Sequence, residues 1–361
     1  MRRILVHCPN EADPTSYYRG VGPFGRLERL FPDIGMMRVN QFDWTTIHWA
    51  DAVFLQRPSM PQHVQICEMV KASRVPLWLD YDDDLFSVPV HNCTYEMYGL
   101  KSTQEQIAKC INMADVVTVT NAHLRERLLP LNKNIVVIPN AFEDERFDDR
   151  PPRKAEREKL VFWRGSKTHE KDLMQVCQQI VQLSHDPELA DWFFHFMGYN
   201  PWWMTEQMRH DHTLCLQPID VVAYHDFICS LQPPIWIVPL VDDRFNRSKS
   251  NIAWIEGSYA GATIIAPNIP EFQRPGVLLY DKPEEFGPTL RRAMKGEYNL
   301  SELSEKGWNA VRNTVSLSIV NKLRVQVLER LLARPRGYRS EVVSEKEVDR
   351  GLQAVSGDAG G

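Results

Sequence analysis

Short apolar runs alternate with helix-forming stretches along nearly the whole chain, and this alternation constrains the fold more than any other feature. In the first part the runs are RRILVHC, DAVFLQRP, VPLWLDYDDD, DVVTVT and NIVVIPN. Between them lie VGPFGRLERLF, PQHVQICEMVKAS, TQEQIAKCINMA and NAHLRERLLPL, which read as helices. The apolar runs are continuous rather than alternating, as suits strands covered on both faces of a parallel sheet. Strands separated by helices predict a doubly wound α/β domain.

The alternation then breaks at AFEDERFDDRPPRKAEREK, residues 141–159, a charged stretch with two prolines that reads as an exposed linker. It restarts with LVFWRGS, WFFHFMG, TLCLQP, IWIVPL, TIIAP and VLLY, separated by EKDLMQVCQQIVQL and VVAYHDFICSL, and helices fill roughly 283–334. A chain of 361 residues suits two cores better than one. The expected division is residues 1–150, residues 151–315, a helix over 316–334 that packs back on the first domain, and a polar tail over 335–361. Two such domains place a cleft between the carboxyl ends of two parallel sheets.

The stretch VPLVDDRFNRSKSNIAWIEGSYAGATIIAP, residues 238–267, runs strand, polar loop, helix, glycine stop and strand. A helix from about Ser248 to Gly261 would put Lys249 and Glu256 on one face, about 10 Å apart along the axis. A helix start offers free amides and a positive dipole end, which Lys249 and Ser250 reinforce as an anion site. Glu256, deeper on that face, would then accept hydrogen bonds from ribose hydroxyls. The plainer alternative is a capped helix with a surface lysine and a satisfied buried acid. A second basic turn, Arg164-Gly165-Ser166-Lys167, follows a strand and precedes a helix, and it faces the same crevice. His169 either turns toward the donor or sits near a cap at Thr168.

Together SYYRGVGPFGRL, LWLDYDDDLF, ADVVTVTNAHLRERL, VVIPNAFE, FWRGSKTHEKDL and FNRSKSNIAWIEGSYAGATIIAP resemble glycosyltransferases of the GT-B type. The likeness is strongest to the retaining, family-4-like group, which includes phage-encoded members, and it runs to about residue 334. The resemblance implies two Rossmann-like doubly wound domains facing a cleft, the second holding a nucleoside-diphosphate sugar and the first an acceptor. It implies transfer of a hexose-like sugar, with UDP-sugar favoured, and no resident cofactor or metal. Donor contacts would come from Arg164, Gly165, Ser166, Lys167, His169, Asn246, Ser248, Lys249, Ser250, Asn251 and Glu256. Ser248 stands where the family often has a glutamate that touches the donor sugar.

In the first domain, Tyr18, Arg19, Gly20 and Gly22 form a loop expected near the phosphates and acceptor. GVGPFG carries Pro23 where a dinucleotide fingerprint would open its helix, so NAD binding is not expected. LWLDYDDDLF crowds Asp80, Asp82, Asp83 and Asp84 at a strand end, and carboxylates so close need a raised pKa, a cation or a metal. Asp80 or Asp82 is the expected base or orienting group for the acceptor hydroxyl. GYNPWWM, residues 198–204, either walls the nucleotide base or belongs to the core.

Seven cysteines without paired spacing read as free buried thiols in a reducing compartment, and eleven histidines show no metal-binding spacing. The first residues lack a signal-peptide pattern and no run spans a bilayer, so a soluble, cytoplasmic protein is expected, in the host cytoplasm if phage-encoded. The acceptor class stays open among a glycan, a small molecule and modified DNA. A DNA acceptor would use the basic stretch Lys322, Arg324, Arg330, Arg334, Arg336 and Arg339, although the net charge of -5 speaks against it. A GT-B-like module that binds nucleotide or glycan without catalysis is the other alternative.

Overall fold

The computed structural model describes residues 2–9, 13–148 and 159–333. Most of the expected linker, the expected tail, and Arg334, Arg336 and Arg339 lie outside the described residues. Among the described residues, twelve strands form two six-stranded parallel sheets. The first contains β1 (Arg2–His7), β2 (Ile34–Arg38), β3 (Ala52–Gln56), β4 (Leu77–Tyr81), β5 (Val116–Val119) and β6 (Ile135–Val137). The second contains β7 (Leu160–Gly165), β8 (Phe193–Gly198), β9 (Thr213–Leu216), β10 (Ile235–Ile237), β11 (Thr263–Pro267) and β12 (Val277–Tyr280).

The strand orders are β2-β1-β3-β4-β5-β6 and β12-β11-β10-β7-β8-β9. Each sheet therefore reverses its direction of growth once, at β1/β3 in the first and β7/β10 in the second. Connections leave to opposite faces at these points, opening a crevice beyond the carboxyl ends. The central strands β3, β4, β5, β10 and β11 are buried at every residue, as continuous apolar runs require. β2 was not anticipated, because IGMMR carries a glycine and lies at the sheet edge with Met37 exposed. At the ends of β7 and β8, Gly198 has φ +96° and a Cβ there would lie 2.5 Å from the Gly165 carbonyl oxygen. Only glycine fits that crossing.

The helix Leu317–Leu332 returns to the first domain. Asn321 donates to the carbonyl of Pro23 at 2.9 Å, and Ser318 donates through its amide and hydroxyl to Asp144 at 3.0 Å each. Arg324, expected on a basic surface, is instead 2% exposed, and burial beside Arg19 pulls its pKa down to about 9. The basic stretch therefore loses a central member to the interior. None of the seven cysteines forms a disulfide, and Cys93 is exposed and Cys215 half-buried rather than buried. No helix among the described residues is long and apolar enough to cross a membrane.

Candidate active site

A cavity of about 420 Å³ lies where the carboxyl ends of the two sheets meet. Its first-domain wall comes from the segments after β1, β3, β4 and β6, through Asp13, Tyr18, Arg19, Arg57, Asp82, Asp83, Tyr98 and Asn140. The second domain supplies Arg164, Ser166, Thr168, His169, Asp172, Lys249 and Ser250.

Four acids at the end of β4 would repel one another, and three arginines divide them. Asp80 meets Arg19 through two bonds, Nε to Oδ2 at 2.9 Å and Nη2 to Oδ1 at 2.7 Å. Asp82 and Asp83 share Arg57, at 2.9 and 3.1 Å, and Asp84 meets Arg127 at 3.0 Å. The register also sets Thr118 beside Asp80, and its hydroxyl donates to Asp80 at 2.5 Å. Asp80 is therefore saturated, 2% exposed and off the cavity wall, which corrects its expected place at the acceptor hydroxyl.

Arg19 lines the cavity but is equally committed, since it also donates to the Ile138 carbonyl at 2.7 Å and to Asn140 at 3.1 Å. Gly20 and Gly22 serve the packing of their turn. A Cβ on Gly20 would come within 2.1 Å of the Cys8 sulfur, and one on Gly22 within 2.9 Å of the Tyr17 carbonyl oxygen. The turn itself is a π-helical segment, Tyr17–Val21, running into the helix Gly22–Leu30, with Pro23 accommodated in its first turn.

Asp82 and Asp83 do face the cavity. Burial raises the Asp82 carboxyl above its usual range, against the pull of Arg57. Burial also opposes the Asp83 charge, but Lys249 and Arg57 hold that carboxyl below the usual range. Arg57 escaped the sequence reading. It follows a strand buried at every residue, takes φ +49°, and donates its amide to the Asp80 carbonyl at 2.8 Å. A left-handed arginine at a strand end stores backbone strain of the kind found at functional sites.

In the second domain the helix begins at Ile252, not Ser248, and ends at Gly261 with φ +78°. Asp243 caps a separate short helix, Arg244–Arg247, and residues 248–251 form the link between the two. Lys249 thus precedes the helix rather than sharing a face with Glu256. Its ammonium lies 4.8 Å from the centre of the Phe245 ring and, among the described residues, forms no ion pair within 4 Å. Two first-domain asparagines hold this link. Asn121 donates to the carbonyls of Ser248 and Lys249 at 2.9 Å each, and Asn140 donates to the Ser250 hydroxyl at 2.8 Å.

Glu256 is 1% exposed and does not line the cavity. Its Oε1 accepts from Tyr18 at 2.6 Å, and its Oε2 accepts from Arg164 Nε at 2.7 Å and from Tyr224 at 3.0 Å. Burial works against the Arg164 charge, but Glu256 and the two tyrosine oxygens keep its pKa above the ordinary value. Tyr18 has one proton to give. With that proton on Glu256, His225 Nε2 must donate to the Tyr18 oxygen across their 2.6 Å contact. Burial, with Arg146 and Arg164, drops the His225 pKa to about 3 and keeps the ring neutral. In this arrangement Glu256 fixes Arg164 and has no oxygen open to a ribose, contrary to the placement expected for it.

The remaining expected donor contacts divide. Arg164, Ser166, His169, Lys249 and Ser250 line the cavity, whereas Gly165, Lys167, Asn246, Ser248 and Asn251 do not. Asn246 donates to Asp172 at 2.9 Å, and Ser248 is fully buried. The aromatic segment at 198–204 is also off the wall: Tyr199 and Trp203 donate to Glu170, and Trp202 is 60% exposed.

No protein-family model matches the chain, and no curated protein matches its sequence. Solved structures do match its shape. A glycosyltransferase from Rickettsia africae ESF-5 aligns at TM-score 0.64 and 13% identity, over 92% of this chain and 99% of its own. Sucrose-phosphate synthase from Thermosynechococcus elongatus aligns at TM-score 0.67 and 13% identity, over 92% and 100%. Anabaena HepE in complex with UDP and glucose aligns at TM-score 0.64 and 10% identity, over 91% and 100%. These likenesses cover both domains and the cleft between them, and the chain has the two-domain GT-B fold.

Proposed function

We propose that the protein transfers a sugar from a nucleoside diphosphate to an acceptor hydroxyl. The observation that carries this is Lys249, a cavity-lining cation without an ion-pair partner among the described residues, held in place by asparagines of the opposite domain. A half-buried ammonium with no counter-ion within 4 Å among the described residues favours an anion. Ser250, Ser166 and Thr168 add hydroxyl donors on the same wall, and Arg164 adds a second cation. That set suits a diphosphate.

On the facing wall Asp82, with its pKa raised by burial, is suited to accept a proton from an acceptor hydroxyl. In the reaction the bond from the anomeric carbon to the β-phosphate oxygen breaks and leaves its electron pair on that oxygen. The acceptor oxygen bonds to the anomeric carbon, and its proton passes to Asp82 and on to solvent. Lys249 and Arg164 offset the charge that grows on the leaving diphosphate, an effect worth a few kcal/mol per preorganised donor.

A UDP-sugar is the favoured donor, consistent with the UDP held by HepE, and retention of configuration is inherited from the resemblance. A glycan or small molecule fits the acceptor side better than DNA, since Arg324 is removed from the basic stretch on which a DNA reading relied.

The test is thermal denaturation with UDP-, ADP-, GDP- and TDP-glucose, followed by assay of nucleoside diphosphate release with and without a glycan acceptor panel. Stabilisation by one donor and acceptor-dependent release support the proposal. Stabilisation without release under any acceptor would point to a binding module, and no stabilisation by any donor would end the reading.

A further inference from the structure

His169 and Asp172 form a hydrogen-bonded pair on the cavity wall that takes no part in the transfer step. Asp172 is 4% exposed. Its Oδ1 accepts from the Val241 amide and from Asn246 Nδ2, each at 2.9 Å, and its Oδ2 lies 2.8 Å from His169 Nδ1. A carboxylate only accepts, so Nδ1 carries the proton of that contact. In a neutral ring, Nε2 is then a bare acceptor. Among the described residues it has no hydrogen-bond partner, and the residue lines the cavity.

A bare acceptor is an odd group to place at a diphosphate site, because phosphate oxygens also only accept. The charges around it resolve the contradiction. Asp172 faces the ring from its own helix, Arg164 from the end of β7, Lys249 from the link before Ile252, and Asp83 from the first domain. Burial first, then Lys249 and Arg164, lower the imidazole pKa, while Asp172 pulls it up. An arriving diphosphate cancels the field of both cations and adds its own negative charge, so it reverses the balance.

We propose, building on the donor reading, that His169 makes donor binding proton-linked: neutral with a bare Nε2 in the free protein, it becomes an imidazolium that donates Nε2–H to a phosphate oxygen when the diphosphate binds. Asp172 keeps Nδ1 protonated throughout and fixes the ring plane. The proton comes from solvent, and no bond to carbon or phosphorus changes in this step. The site gains a third cation only when an anion is there to meet it. When the bond to the sugar breaks, that cation already faces the oxygens on which charge accumulates.

Nucleotide sugars are useful probes because their diesterified pyrophosphate exchanges no proton near neutrality, so any linkage belongs to the protein. The experiment is isothermal titration calorimetry of UDP-, ADP-, GDP- and TDP-glucose, run between pH of about 5.5 and 7.5 in buffers of different ionisation enthalpy. Wild-type protein should take up close to one proton per donor bound, with affinity falling roughly tenfold per pH unit across the linked window. His169→Asn keeps a side-chain N–H for Asp172 but has nothing at the Nε2 position. It should bind more weakly, with no proton uptake and a flat pH profile. The wild-type measurement stands even if the variant folds poorly.

Donor binding without proton uptake in the wild type, or uptake unchanged in His169→Asn, overturns this inference and leaves the donor reading intact. Failure of all four nucleotide sugars to bind overturns both.

Discussion

Each domain buries an arginine against a carboxylate near its switch point, and the two pairs do different things. Arg19 and Asp80 have side chains 1% and 2% exposed, and both belong to the first domain. Arg164 keeps a side-chain exposure of 26% and lines the cavity, while its partner Glu256 is 2% exposed. A tyrosine from the opposite domain completes the second pair, because Tyr18 reaches Glu256 and His225. Arg19 has spent its donors on the frame of its own domain. Arg164 is braced from behind and still faces the ligand. An arginine near a cleft therefore need not be a ligand contact; what matters is which of its donors are already taken.

The largest expected effect tests the first pair. Asp80→Asn leaves the Arg19 charge buried without its counter-ion and close to buried Arg324, so chemical denaturation should show a loss of about 3–5 kcal/mol. A loss below about 1 kcal/mol would erase the distinction between frame and site. Glu256→Gln comes next. The partly exposed Arg164 can recover some hydration, so the stability cost should be smaller, about 2 kcal/mol, with nucleotide-sugar turnover falling at least about tenfold as Arg164 loses its brace.

Lys249→Ala should separate function from stability. The ammonium holds no ion pair within 4 Å among the described residues, so the denaturation midpoint should barely move, within about 0.5 kcal/mol. Donor affinity measured by calorimetry should drop roughly 10- to 100-fold.

The smallest effect concerns the tyrosine bridge. His225 has its pKa lowered to about 3 in the folded protein, so below its ordinary value the unfolded chain binds a proton that the folded one does not. Stability must then fall as pH drops from about 6.5 toward 3, by about 1 kcal/mol over the first unit. His225→Gln should flatten that acid limb in thermal denaturation, and an unchanged slope would remove His225 from the account.

Much of the architecture was legible. LVFWRG, TIIAP and DVVTVT could only be strands buried on both faces, and GATIIAP began with the glycine that ends a helix at φ +78°. IGMMR was not legible, because an edge strand needs no continuous apolar run. The helix start was misplaced because Asp243 caps an earlier turn, an event that the run FNRSKSN does not announce. Within the site, the cations at Arg164 and Lys249 were found as basic turns after strands. Arg57 and Asp172 were missed, since each matters through a partner in another segment, and the place of Asp172 inside FWRGSKTHEKDL does not announce that partner.

Local pattern alone determined that this chain builds two parallel α/β layers with polar turns at their carboxyl ends, because burial on both faces and helix stops are written in neighbouring residues. Which of those turns' charges face a ligand was decided only in three dimensions. Glu256 meets Arg164 across 92 positions and Tyr18 across 238. A carboxylate's role depends on which donors fill its lone pairs, and no pattern of adjacent residues carries that information.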